Sequence, residues 1–139
     1  GRSQTGLAGP AEAESRRDMI ATRFAFAGCA VPDVEAAHDF YGRILGLDVA
    51  YADMGQLTID LPGGGWVLVY PKPDHTPATY TVLNLEVDDI EAAVDALVAA
   101  GVEPVRYDGF DQDARGIARG IARNEGPDIA WITDPAGNI

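Results

Sequence analysis

A short motif occurs twice in this chain, and the repeat limits the folds that the sequence can adopt. VPDVEAA at residues 31–37 returns as VDDIEAA at residues 87–93, 56 residues later, with five of the seven positions identical. In each copy an Asp precedes apolar residues at helical spacing, which predicts the capped start of a helix. Two such starts in a chain of 139 residues indicate a duplicated supersecondary unit within one domain.

The first copy lies in a segment that predicts one strand, one helix and three further strands. The apolar run TRFAFAGCAV at 22–31 predicts a buried strand. Asp33 is a suitable N-cap for a helix that ends at Gly46. Three strands are expected after this helix, at 48–53, 56–61 and 66–70. The sequence LPGGG predicts the hairpin turn between the last two.

The second copy predicts a similar order of elements. Residues 80–87 alternate apolar and polar side chains, as a half-buried strand does, and Asp88 or Asp89 caps the second helix. Gly101 ends that helix, and strands are expected at 102–107 and 129–133. Each unit would cover one face of its sheet with a helix and leave the other face bare, so two units side by side can enclose a cleft.

The two halves resemble the modules of the vicinal oxygen chelate superfamily, also called the glyoxalase/bleomycin-resistance/dioxygenase superfamily. The matching segments are VPDVEAAHDFYGRILGLDV (31–49), LEVDDIEAAVDALVAAGVEPV (85–105) and IAWITDPAGNI (129–139). The resemblance implies an α+β fold in which two βαβββ modules form an open curved mixed sheet around a central cleft. It also implies a homodimer.

The predicted domain organisation is simple. Residues 1–18 contain small and charged residues and almost no large apolar ones, which predicts a flexible tail or a vector-derived leader. Residues 19–139 are predicted to form a single glyoxalase/bleomycin-resistance-like domain, with module one at 19–71 and module two at 78–139. A proline-rich linker joins the two modules.

Charge and composition exclude several classes of partner. The formal net charge of −12 argues against nucleic acid, whose phosphates would be repelled. No apolar run approaches the roughly 20 residues that span a membrane. A single cysteine excludes an internal disulfide and makes a cytoplasmic location the expectation.

The resemblance implies a metal site, but the sequence does not supply its ligands. In metal-binding relatives the first ligand lies seven residues before the helix-capping Asp, and those positions hold Phe26 and Val82 here. The strand WVLVY at 66–70 offers no carboxylate or imidazole, and the fourth position would fall about two residues beyond Ile139. Catalytic metal sites generally need about three protein ligands, so we expect neither a metal nor another cofactor.

If Phe26 faces the cleft, strand parity predicts an aromatic lining with a few polar groups. The predicted cleft residues are Phe24, Phe26, Trp66, Leu68, Tyr70, Tyr80, Val82, Asn84, Glu86 and Trp131. Such a lining suits a planar or cationic small molecule. The same aromatic side chains could instead fill the hollow and leave only a core. Glu86 would be an acid or base if buried, although its place near the end of a strand favours a solvated carboxylate.

The remaining reactive side chains are expected to be structural. His38 is predicted to pack on the first helix, His75 to be solvated in the linker, and Cys29 to be a buried, inert thiol beneath the helix. The long loop at 108–127 contains the tandem tetrad RGIARGIA, whose arginines could lie along one helical face. They could meet an anionic ligand or an acidic patch on a partner subunit, although a solvated surface face is the simpler expectation. No catalytic residue is predicted.

Three functions stay open at this point. The first is a metal-free protein that binds a small aromatic or cationic molecule, as drug-sequestering resistance proteins do. The second is a metal-dependent lyase, isomerase or dioxygenase of the same superfamily whose ligands lie at other positions, with Glu86 involved. The third is a partner-binding module whose hollow is filled by side chains.

Overall fold

A mixed four-stranded sheet with a helix across one face forms the first half of the molecule, residues 20–71. The computed structural model describes residues 20–139, so the predicted tail at 1–18 lies outside the described residues. The elements of the first half are β1 (Ala27–Val31), α1 (Val34–His38), a π-helical segment (Asp39–Ile44), β2 (Asp48–Tyr51), β3 (Leu57–Asp60) and β4 (Trp66–Pro71). This is the predicted βαβββ order, although β1 is shorter than the apolar run that predicted it.

The strand order in this sheet is β1-β4-β3-β2. β1 runs parallel to β4, while β4, β3 and β2 are mutually antiparallel. A parallel pair needs a long connection, and here the helix and two strands lie between β1 and β4. Because β1 comes first in the strand order, it lies at one edge of the sheet, where the second half of the chain can reach it.

Alternate residues of the strands build the core on the helical face of the sheet. The fully buried side chains here include Val31, Leu57, Ile59 and Val69, and they pack against Phe40 and other residues of the helix. Each such burial stabilises the fold by about 1.5–3 kcal/mol. The other face of the sheet carries the intervening residues and is open to solvent.

Both predicted helix starts are confirmed by their caps. Asp33 accepts a hydrogen bond from the Ala36 amide at 3.1 Å, and Asp89 accepts from the amides of Glu91 and Ala92. Each carboxylate satisfies amides that the first turn of a helix would otherwise leave unpaired. The repeated motif is thus a helix-capping device.

The second half, residues 78–139, departs from the predicted strands. Its elements are α2 (Ile90–Ala99), β5 (Ala118–Arg119), a 3₁₀ turn (Ile121–Arg123) and β6 (Asp128–Ile129). β5 and β6 form a separate antiparallel pair. The fold class is α+β, as predicted, but most residues of this half lie in loops. No helix among residues 20–139 is long and apolar enough to cross a bilayer.

Two segments predicted as strands are not assigned as strands. Residues 80–87 and 102–107 lack a ladder, and the backbone bonds that tie them are isolated ones, from Val82 N–H to Ile139 O (2.8 Å) and from Val105 N–H to Trp131 O (2.7 Å). Likewise, of the predicted strand at 129–133 only Ile129 belongs to a strand, as the second residue of β6. Alternating side chains specify which face of a strand is buried, but a strand also needs a neighbour with matching register.

A buried polar network joins the two halves. The Tyr41 hydroxyl donates to Asp134 Oδ2 at 2.7 Å, and Asn138 Nδ2 donates to the Ala30 carbonyl at 3.0 Å. Asn138 Oδ1 also accepts from the amide of Ala78 at 3.2 Å. The DPAGN sequence thereby fastens the second half to the helix and to the edge strand of the first.

Candidate functional site

The open face of the sheet carries a row of aromatic and small side chains. Trp66, Leu68 and Tyr70 alternate along β4 with the buried Val67 and Val69, so they project to the open face. The neighbours of Leu68 on that face are small. They are Gly28 on β1 and Thr58 on β3. The face therefore has a shallow trough between Trp66 at one end and Tyr70 at the other.

Three aromatic rings form a platform at one end of this face, which we call the aromatic shelf (Phe24, Phe26 and Trp66). The rings of Phe26 and Trp66 stack with centroids 4.2 Å apart and planes 16° from parallel. Phe24 lies 6.3 Å from Phe26. Phe24 is 64% exposed and Phe26 is 48% exposed, so the shelf is not covered by the described part of the chain. Exposed rings in such an arrangement offer a surface on which a further planar group can stack.

At the other end of the face lies an open cavity of about 500 Å³, which we call the linker cavity. Three predicted cleft residues meet in its wall: Tyr70, Tyr80 and Val82. The rest of the wall is Gly28, Cys29, Ala30, Lys72, Asp74, His75, Thr76, Ala78 and Asn138. A volume of this size is within the range of small-molecule sites.

The structure does not bring the other predicted cleft residues into this cavity. Leu68 lies on the sheet between the shelf and the cavity, while Asn84 and Glu86 are exposed on the segment that lacks a ladder. Trp131 belongs to a second aromatic group, with ring centroids 5.5 Å from Tyr107 and 5.1 Å from Phe110. Sequence parity could not place Trp131, because its strand partner was unknown.

His75 differs from its predicted solvated position. It is half-buried in the wall of the linker cavity, and its Nε2 atom is buried with no hydrogen-bond partner among residues 20–139. The prolines around it predicted a solvated linker, whereas the linker turns at this point, and the His75 amide donates to the Lys72 carbonyl at 3.0 Å. His38, by contrast, is half-buried as predicted and stacks on Tyr51 at 4.8 Å.

The half-buried thiol of Cys29 and the buried phenol of Tyr41 are held in their neutral forms. Burial, and secondarily the charge of Asp134, raises the pKa of the Cys29 thiol to about 11. Burial and the hydrogen bond to Asp134 also raise the pKa of Tyr41. A thiol with such a pKa is a poor nucleophile at neutral pH, which agrees with the structural role predicted for Cys29.

The residues present do not fit the metal of the metal-binding relatives. Phe26 stacks in the aromatic shelf and Val82 lines the linker cavity, and neither side chain can coordinate a cation. Within residues 20–139, no group of three or more His, Cys, Asp or Glu side chains lies close enough together to hold a metal ion. Sites of this kind usually need about three protein ligands.

The long loop at 108–127 is tied to the rest of the second half by charges. Arg115 pairs with Glu91 and Asp95 of α2, and Arg119 pairs with Glu91, Asp113 and Asp128. The three arginines of the loop do not share a helix, because they lie in a turn, in β5 and in the 3₁₀ segment. Their partners are carboxylates of the same chain.

Comparison with known proteins identifies the family. The sequence model of the glyoxalase/bleomycin resistance protein/dioxygenase superfamily matches residues 23–139. The chain belongs to this superfamily. No curated protein matches the chain significantly.

Several solved structures share the fold at low sequence identity. A superfamily member from Sphaerobacter thermophilus DSM 20745 is 23% identical, with a TM-score of 0.55 over 83% of this chain and 92% of that one. TnmS3, an antibiotic-binding protein from Streptomyces sp. CB03234, is 23% identical, with a TM-score of 0.52 over 85% of this chain and 93% of that one. The virulence protein STM3117 from Salmonella typhimurium is 20% identical, with a TM-score of 0.54 over 86% and 94%. At these identities the likeness concerns the fold alone.

Proposed function

We propose that this protein binds a small aromatic molecule on the open face of its first sheet, without a metal. The observation that carries the proposal is the aromatic shelf, in which Phe26 stacks on Trp66 at 4.2 Å while keeping about half of its surface exposed. Stacked rings left open to solvent cost hydrophobic free energy that a planar ligand would recover by covering them.

The geometry around the shelf supports a ligand larger than one ring. The open face continues from Trp66 past Leu68 and Gly28 to Tyr70, which lines the linker cavity. Four residue steps along a strand span about 13 Å. A ligand with a planar ring system on the shelf could therefore extend a substituent into the linker cavity. The solved antibiotic-binding relative supports a binding role for this fold.

Binding of acridine, a planar neutral compound, tests the proposal by isothermal titration calorimetry. We expect saturable binding to the native protein and about tenfold weaker binding to Phe26→Ala, because both the stacking partner and the covered apolar area are lost. Phe110→Ala is the matched control, since Phe110 is 58% exposed in the second aromatic group. Equal losses in the two variants, or no binding to the native protein, would contradict the proposal.

The metal-dependent alternative predicts a different result. A lyase, isomerase or dioxygenase with ligands at unexpected positions would carry about one transition metal per chain after purification, and a chelator would remove it together with an activity. We expect elemental analysis to find far less than one metal per chain, and chelation to leave the melting temperature unchanged.

The homodimer and the cytoplasmic location stay predictions. Size-exclusion chromatography with light scattering can test the first, and cell fractionation can test the second.

A further inference from the structure

Two carboxylates extend the aromatic shelf across the open face of the sheet. Asp48 on β2 lies directly opposite Asp60 on β3, and Asp60 lies directly opposite Trp66 on β4. Phe26 completes the row by stacking on Trp66. The row across the strands is therefore carboxylate, carboxylate, aromatic ring, aromatic ring.

All four side chains project to the same side of the sheet. Asp60 and Trp66 each adjoin a residue buried on the helical face, Ile59 and Val67, so both point the other way. Directly paired residues on neighbouring strands share a face, which places Asp48 beside Asp60. Both carboxylates are exposed, and both line a recess of about 290 Å³ together with Gly46, Leu47, Leu61 and Pro62.

The acidic pair lacks a compensating charge in the described part of the chain. Neither Asp48 nor Asp60 forms a salt bridge with any residue in the range 20–139, whereas other carboxylates of the chain, such as Asp39 and Asp113, do. Like charges placed directly opposite each other on adjacent strands destabilise a sheet. A cation above this pair would relieve that repulsion.

We infer that the ligand of the open face is a planar aromatic cation, with its ring on the shelf and its positive group over Asp60 and Asp48. This inference rests on the proposed function and specifies the class of ligand. Neighbouring strands are about 5 Å apart, so the positive charge should lie about 5–10 Å from the centre of the stacked ring. The face of Trp66 adds an attraction for the same charge.

Proflavine, a tricyclic cation, and acridine, its neutral parent ring, separate the contribution of charge from that of stacking. Calorimetry at 0.15 M salt should show about three- to tenfold tighter binding of proflavine to the native protein, since exposed charge pairs and cation–π contacts are individually modest. Asp60→Asn should reduce this preference to about twofold or less, because it removes the carboxylate nearest to Trp66. Raising the salt concentration should reduce the preference in the native protein as well.

Asp53→Asn is the matched control, because Asp53 is an exposed carboxylate in the turn between β2 and β3 and its loss changes net charge equally. The preference for proflavine should survive in this variant. Equal binding of the two compounds to the native protein, or an equal loss of preference in the Asp53 and Asp60 variants, would overturn the inference. Acridine binding would in that case still support the proposed function. Absence of binding by both compounds would overturn the proposed function as well. Tetramethylammonium bound as tightly as proflavine would show that the rings take no part.

Discussion

The two halves of the molecule begin with the same capping motif and are held together by different forces. The first half buries a continuous apolar face between four strands and a helix, with Leu57, Ile59 and Val69 almost inaccessible to solvent. In the second half the fully buried apolar side chains are Val94 and Ile117, and paired charges hold the long loop to α2. A shared local motif therefore does not ensure a shared way of packing.

The contrast predicts unequal costs for the same core truncation. Ile59→Ala should lower the free energy of unfolding by about 3–5 kcal/mol, because a tightly packed sheet collapses little around the cavity. Ile117→Ala removes the same atoms from an equally buried residue and should cost about 2–3 kcal/mol, because loops can relax around it. Urea denaturation measures both. Equal losses would show that the second half is packed as rigidly as the first.

The junction between the halves should be the next most sensitive place. Asn138→Ala removes one partner from the Ala30 carbonyl and one from the Ala78 amide, so we expect a loss of about 2–4 kcal/mol. Asn84→Ala, at an exposed position of the second half, is the control and should change stability by less than about 0.5 kcal/mol. If the two variants unfold at the same urea concentration, the network contributes little to joining the halves.

The single thiol, Cys29, is half-buried in the wall of the linker cavity, and its reactivity reports the state of the thiol there. Because the pKa of Cys29 is raised to about 11 in the folded protein, its thiolate is scarce at pH 8, and labelling with a disulfide reagent should be at least about tenfold slower than in urea. The raised pKa stabilises the fold below pH 9, and this contribution is lost as the pH rises through about 11. Rapid labelling of the folded protein at pH 8 would show that the thiol is accessible from the linker cavity and that its pKa is not raised.

The charged loop should give the smallest effect, and one that salt modifies. Arg119→Gln removes contacts with Glu91 and Asp113, and should lower the melting temperature more than Arg43→Gln, which removes an exposed pair within the π-helical segment. Adding 1 M sodium chloride should narrow the difference, since it screens the loop pairs in the native protein. A difference that does not depend on salt would mean that Arg119 acts through packing instead.

Local physics explains which parts of the fold the sequence predicted well. The caps at Asp33 and Asp89, the glycines that end both helices and the LPGGG turn each depend on a few neighbouring residues. Gly46 and Gly101 take the positive φ that the end of a helix favours. These features fixed the order of elements in the first half and the position of α2.

Long-range pairing explains the parts that were predicted poorly. The alternation at 80–87 is a property of that segment, but a strand also needs a partner, and the described residues give it one isolated backbone bond to Ile139. Trp131 and His75 were misplaced for the same reason, because their surroundings come from distant segments. The aromatic shelf was largely predicted by strand parity, whereas the acidic pair beside it appeared only once the register of β2 and β3 was known.

The π-helical segment after α1 determines the directions in which its side chains point. It closes through a bond from the Leu45 amide to the Phe40 carbonyl, five residues back, at 2.9 Å. Its two adjacent aromatic residues are both buried, Phe40 in the core and Tyr41 on the Asp134 carboxylate. Deletion of one residue would restore a regular helix and turn one of these rings away by about 100°. The wide turn thus lets adjacent residues of one helical segment contact both the sheet beneath it and the other half of the molecule.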